Sequence, residues 1–335
     1  IQVYMKRFII TFSLVIGIPL ILLLGLYLWS DPFKTLHTFD INDIDATNRE
    51  YQTVELFKRN YPTYHYNSFV FCSSQGSGLN TYTWRMYLSE QSQPFLFQAW
   101  SENITGVKQK LVWLDNHNVS IEHALILIDI PGFFSTNQHP TDALSVKHFE
   151  LSDEPEWMYH TREYYNFIQR PSSWIDFTCR KLRGVKTPLG SDTISNDFFA
   201  ENRFNYDVLP KQDSLCSCSE QTRRNFFLQI ANVSEADVVM AEPVINHDMQ
   251  EILLDIKAVI EKQQTDYYIV ITPSYRYTSP YLNTNDLVIL QEVFGKDRVY
   301  DFTTDNQLTS DYNDFFDPVH FGTILGWKML KTIYE

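Results

Sequence analysis

Apolar positions fall along this chain in three rhythms. From Phe8 to Trp29 no charged residue interrupts them. At ~1.5 Å per residue that stretch makes a helix about 33 Å long, enough to cross a bilayer. Tyr27 and Trp29 stand where an interfacial aromatic belt would lie, and Pro19 is tolerable as a kink. Residues 30–66 are mixed and polar, and predict a stalk followed by a first helix around Asn48–Asn60. Short, densely apolar runs then predict strands at Ser68–Phe71, Phe95–Phe97, Ala124–Ile130, Ala236–Met240 (the weaker one), Tyr268–Thr272 and Arg298–Phe302. Helical spacing fills the gaps at Ile104–Asp115, Met249–Gln263, Leu287–Phe294 and 321–334. Strands alternating with helices imply an α/β domain whose parallel sheet is covered on both faces, a three-layer α/β/α arrangement. Residues 131–219 fit the alternation poorly and predict a loop-rich, partly helical insertion.

These patterns divide the 335 residues into a tail at 1–7, a transmembrane anchor at 8–29, a stalk and first helix at 30–66, and an α/β domain at 67–335. Lys6 and Arg7 precede the anchor, while Asp31, Asp40, Asp43 and Asp45 follow it. The positive-inside rule therefore puts the N-terminus in the cytoplasm and the domain outside, in the periplasm or at the cell surface. A cleaved signal peptide is the rival reading, but its apolar region would end at small residues rather than at Tyr-Leu-Trp-Ser-Asp-Pro.

The formal net charge of −14, from 41 acidic against 27 basic residues, disfavours nucleic acid as a partner. The one basic knot, Arg180-Lys181-Leu182-Arg183 with Lys186, reads as a solvated helix end. Of four cysteines, Cys216 and Cys218 form half of a zinc-ribbon pattern without its other half, so neither a metal nor another cofactor is expected. A disulfide from Cys179 to Cys216 or Cys218 and buried free thiols both fit an exported domain.

In an open parallel sheet, ligands collect beyond the carboxyl ends of the strands. Three turns should emerge there: Ser73-Ser74 after the first strand, Asp129-Ile130-Pro131-Gly132, and the loop holding Asp317 and His320. Asp317-Pro318-Val319-His320 can aim the carboxylate at one ring nitrogen and leave the other as a general base. Of the nine histidines, only His320 has aspartate three residues before it. A serine on the first turn, Ser74, or Ser73 if the strand ends a residue earlier, completes a Ser-Asp-His acyl-transfer site. The bland alternatives are a turn-forming serine and a histidine that caps the last helix. Tyr275, Arg276, Tyr277 and Tyr281 follow a strong strand and are candidates to bind a sugar or anionic headgroup.

A first strand ending in a small-residue turn with serine, and an Asp-x-x-His before the last helix, resemble the SGNH (GDSL-type) hydrolases. The resemblance implies a flavodoxin-like parallel sheet, with Ser74 as nucleophile, Asp317 as orienting acid and His320 as base. The anchor, together with Asp317-Pro318-Val319-His320-Phe321-Gly322 and Gly326-Trp327, is similar to two envelope groups. These are the D-alanyl transfer proteins of teichoic acid modification and the SGNH-like partners of membrane-bound O-acyltransferases. This implies an esterase or O-acyltransferase acting on an acylated cell-surface glycan or polymer. Its alternative is a non-catalytic, glycan-binding or scaffold partner of a membrane-bound O-acyltransferase. The chain departs from the family where Cys72 and Ser73 replace glycine and aspartate before the serine. The second block's glycine has no match, leaving Ser101 or Asn103, with the Ser74 backbone, as oxyanion donors. Asp129-Ile130-Pro131-Gly132 stands where glycine-x-asparagine-aspartate is usual.

Overall fold

The computed structural model describes residues 2–31, 35–36, 49–130, 132–135, 147–152, 154–169 and 240–335 except 277 and 305, with short pieces between 175 and 227. Its centre is a five-stranded, all-parallel sheet: β1 (Ser68–Cys72), β2 (Pro94–Gln98), β3 (His123–Ile128), β4 (Asp266–Ile271) and β5 (Val299–Asp301), in spatial order β2-β1-β3-β4-β5. This is the flavodoxin-like order, whose direction of winding reverses between β1 and β3. Every residue of β1 and β2 is buried, because helices lie on both sides.

The principal helices are α1 (Gln2–Ser30), α2 (Arg49–Tyr64), α3 (Thr81–Arg85), α4 (Ile104–Asn116), α5 (Glu156–Ile168), α6 (His247–Gln263), α7 (Thr284–Phe294) and α8 (Thr323–Tyr334). Side chains alternate across a strand, so Tyr267 and Tyr268 show the two layers directly. The Tyr267 hydroxyl donates to the Phe294 carbonyl of α7 at 2.8 Å, while the Tyr268 ring meets Tyr334 of α8 edge-on. Phe57 of α2 joins the first layer by packing on Phe69, Phe95 and Phe97 of the sheet and on Trp113 of α4. Among the described residues, asparagine starts four helices. Asn80, Asn103, Asn246 and Asn283 each accept an otherwise orphaned backbone N–H of the first turn.

Val3–Ser30 is long and apolar enough to cross a membrane, with a mean hydropathy of 2.7 over its most apolar 18 residues, and its apolar side chains from Val3 to Leu24 are largely exposed. The first domain helix runs to Tyr64, four residues beyond its predicted end, carrying Pro62 in its last turn. In the expected insertion, the described parts include a 3-10 segment at Phe149–Leu151, α5 and an antiparallel pair, Phe199–Glu201 with Val208–Pro210. The weak strand predicted at Ala236–Met240 lies outside the described residues except for Met240, which makes an isolated parallel bridge to Tyr281. Cys216 and Cys218 also lie outside the described residues.

Candidate active site

β1 ends at Cys72, and the chain turns at once into a short 3-10 segment, Ser74–Gly78. Ser73 caps it: its hydroxyl accepts the Gln75 backbone N–H at 3.1 Å. Ser73 is 3% exposed, whereas Ser74 is half-buried and faces the crevice. The turn is held from behind. Gln98, at the end of β2 and directly opposite Cys72, donates its amide to the Ser73 carbonyl at 3.1 Å and to the Ser77 hydroxyl at 2.7 Å. The Ser77 hydroxyl in turn donates to the Ser74 carbonyl at 2.5 Å.

The histidine arrives from the other end of the chain. Asp317 accepts the backbone N–H groups of Val319 and His320 at 2.9 and 3.0 Å, an Asx-type turn that reverses the loop. The same carboxylate accepts the ring Nδ1–H of His320 at 2.7 Å. That proton placement leaves Nε2 as an acceptor, and the Ser74 hydroxyl donates to it at 3.0 Å. Burial would raise the Asp317 pKa. The hydrogen bond and charge of His320, with the two backbone donors, outweigh burial and hold it below the usual aspartate range. The loop is fixed on its flanks: Phe316 N–H donates to the His320 carbonyl at 2.8 Å, and Gly322 N–H to the Asp314 carbonyl at 2.7 Å.

The serine nominated first from sequence is thus the one that meets the imidazole, and Ser73 is a buried cap. Ser101 and Asn103 stay on the β2–α4 turn, one strand away. Ser101 is exposed with φ of +51°, and the Asn103 side-chain oxygen caps α4 by accepting the Gly106 N–H at 2.9 Å. Tyr275 departs from the expectation of a cleft-lining ring. It is 3% exposed, packs edge-on against Phe227 and Phe315, and donates its backbone N–H to the Pro318 carbonyl at 2.7 Å, so it props the His320 loop. Arg276 is exposed, with φ of +47° and its guanidinium 5.4 Å from the Tyr275 ring. Tyr277 lies outside the described residues.

Asp129 is the site residue whose side chain sequence reasoning left unused. Asp129 follows the last residue of β3, and its carboxyl reaches the Ser73 hydroxyl, within electrostatic range of His320. Its Oδ1 is buried without a hydrogen-bond partner. Burial pushes the carboxyl up to about 6, against the opposing pull of its own backbone N–H, the Ser73 hydroxyl and the charge of His320. An acid ending an otherwise apolar, doubly buried strand was the available signal. No protein-family model matches the chain, and no curated protein matches it.

Proposed function

We propose that the chain is a serine acyl-ester enzyme, an esterase or O-acyltransferase of SGNH type, held at a membrane by α1 with its α/β domain on the extracytoplasmic side. One observation carries the chemistry: the unbroken path from the Ser74 hydroxyl to His320 Nε2 at 3.0 Å and from Nδ1 to Asp317 at 2.7 Å. His320 takes the serine proton as Oγ attacks an ester carbonyl, and Asp317 stabilises the imidazolium so formed. The tetrahedral intermediate collapses, the leaving hydroxyl takes the proton from Nε2, and an acyl-serine remains. Water or a glycan hydroxyl, deprotonated by the same nitrogen, then accepts the acyl group and frees the serine. The Ser74 backbone N–H, at the start of its 3-10 turn, is the donor this reading assigns to the oxyanion. The substrate class, an acylated envelope glycan or polymer, rests on the sequence resemblance and on an anchor that confines the domain to a membrane surface. Lys6 and Arg7 before the anchor, with Asp31 after it, support the outward orientation.

Asp129 favours a second reading. An ionised carboxyl on Ser73, the residue before Ser74, opposes a developing oxyanion, which suits a domain that keeps the fold but serves as a glycan-binding or scaffold partner of a membrane-bound O-acyltransferase. A fluorophosphonate probe separates the two. The catalytic reading expects labelling of the wild type, none of Ser74→Ala, and strongly slowed labelling of His320→Ala. Absence of labelling in a folded wild type, or equal labelling of Ser74→Ala, removes it.

A further inference from the structure

The strand-helix core leaves α5 aside. This helix packs on α1 through Tyr27, whose ring lies 5.5 Å from that of Tyr164 and 5.1 Å from that of Phe167. The Tyr164 hydroxyl donates to the Leu20 carbonyl at 2.7 Å. Leu20 precedes Ser30 by ten residues, about 15 Å along a helix, which is half of a ~30 Å hydrocarbon core. The C-terminal half of α5 therefore runs beside the outer part of the segment proposed to span the bilayer.

The outward face of α5 has the chemistry of that position. Trp157, Met158, Thr161 and Tyr165 fall within about 100° of helix arc, at ~100° per residue. Trp157 is 68% exposed and Tyr165 58%. Thr161, the one hydroxyl between them, turns inward and donates to the Trp157 carbonyl at 2.7 Å. The charges lie outside that arc: Arg162, on its flank, pairs with Glu154 and with the buried Glu163. Trp and Tyr beside Met, without an ionised group, is the composition of a helix lying at the headgroup boundary.

We propose that α5 is a second membrane element, seating its Trp157–Tyr165 stripe in the outer leaflet of the bilayer that α1 spans. This rests on the anchor reading above. Lipid at the headgroup–acyl boundary is the occupant, and the helix holds the domain against the membrane surface.

The test uses the full chain reconstituted in phosphatidylcholine–phosphatidylglycerol vesicles whose lipids carry bromine at a shallow or a deep acyl position. Trp29→Phe is the background, so that the anchor's indole does not report. Shallow bromines are expected to quench tryptophan emission more than deep ones, and adding Trp157→Phe is expected to abolish most of that quenching. Trp157 is exposed, so the substitution leaves the fold intact. A protein that resists alkaline carbonate extraction but shows the same quenching with and without Trp157 overturns the docking and leaves the anchor standing. Protein released by carbonate would remove the anchor reading, and the docking with it.

Discussion

Gly78 and Gly326 meet backbone to backbone: a Cβ on Gly326 would lie 2.5 Å from the Gly78 carbonyl oxygen. On its other side, a Cβ on Gly78 would overlap the carbonyl of Phe321, the residue after His320. The serine turn, the histidine loop and the last helix are thus locked by contacts that only hydrogen side chains permit. Gly326 lies inside α8, where alanine would ordinarily gain about 1 kcal/mol of helix propensity. Overpacking at a rigid backbone contact costs about 1–3 kcal/mol and should win. Gly326→Ala is therefore expected to lower stability in urea by a net of up to about 2 kcal/mol and to slow probe labelling of Ser74. A stability gain would show that α8 slides freely over the turn.

Asp317 controls both the geometry and the proton placement of His320. Asp317→Asn should retain the backbone turn while losing the charge that stabilises the imidazolium. Labelling should fall by about 10²–10⁴-fold. The sign of its pH effect follows from a folded-state pKa held below the ordinary value. Its stabilising contribution is present above about pH 4 and is lost as pH falls through the folded-state value. The stability difference between wild type and Asp317→Asn should accordingly shrink below pH 4. Urea unfolding at pH 3.5 and 7 reads it.

Much of this arrangement was legible in the chain. Ser68–Phe71, Ala124–Ile130 and Tyr268–Thr272 are apolar enough to be strands buried on both faces, and Asp317 with His320 precedes an amphipathic helix. What stayed hidden depends on neighbours distant in sequence. Gln98 ends an apolar strand, and only its register against Cys72 turns it into the clamp of the serine turn. Tyr275 looked like a ligand platform because it follows a strand, but the rings of Phe227 and Phe315 enclose it. The apolar stripe of α5 is interrupted in sequence by Arg162 and Glu163, so its periodicity becomes clear only when those charges are seen to pair with each other outside it.

Lys110 holds the β2–α4 turn from inside. Its ammonium is fully buried, ion-paired to Glu102, and 3.8 Å from Glu50. Burial works against its charge, but the two carboxylates outweigh burial and raise its pKa; burial first, and then Glu50, raise that of Glu102. Lys110→Met leaves two carboxylates facing each other in the interior, which should cost about 3–5 kcal/mol. Adding Glu102→Gln should recover part of that loss, because the remaining repulsion disappears. A double variant no more stable in urea than Lys110→Met would mean that the ammonium acts through packing alone.

Asp129 gives the opposite pH signature to Asp317. Its folded-state pKa, about 6, lies above the ordinary aspartate value near 4. The native state therefore favours the protonated carboxyl, whose contribution is complete below about pH 4 and is lost as pH rises through about 6. Asp129→Asn is neutral throughout, so its stability relative to wild type should climb across that window and level off above it. At ~1.4 kcal/mol per pKa unit the climb is about 1–3 kcal/mol. Probe labelling should follow the same course, because removing an ionised group next to the serine turn favours the oxyanion. The variant and wild type should label alike near pH 5 and diverge in the variant's favour by pH 8. Stability that climbs while labelling falls would give the Asp129 carboxylate a part in the chemistry, where a bystander acid is expected.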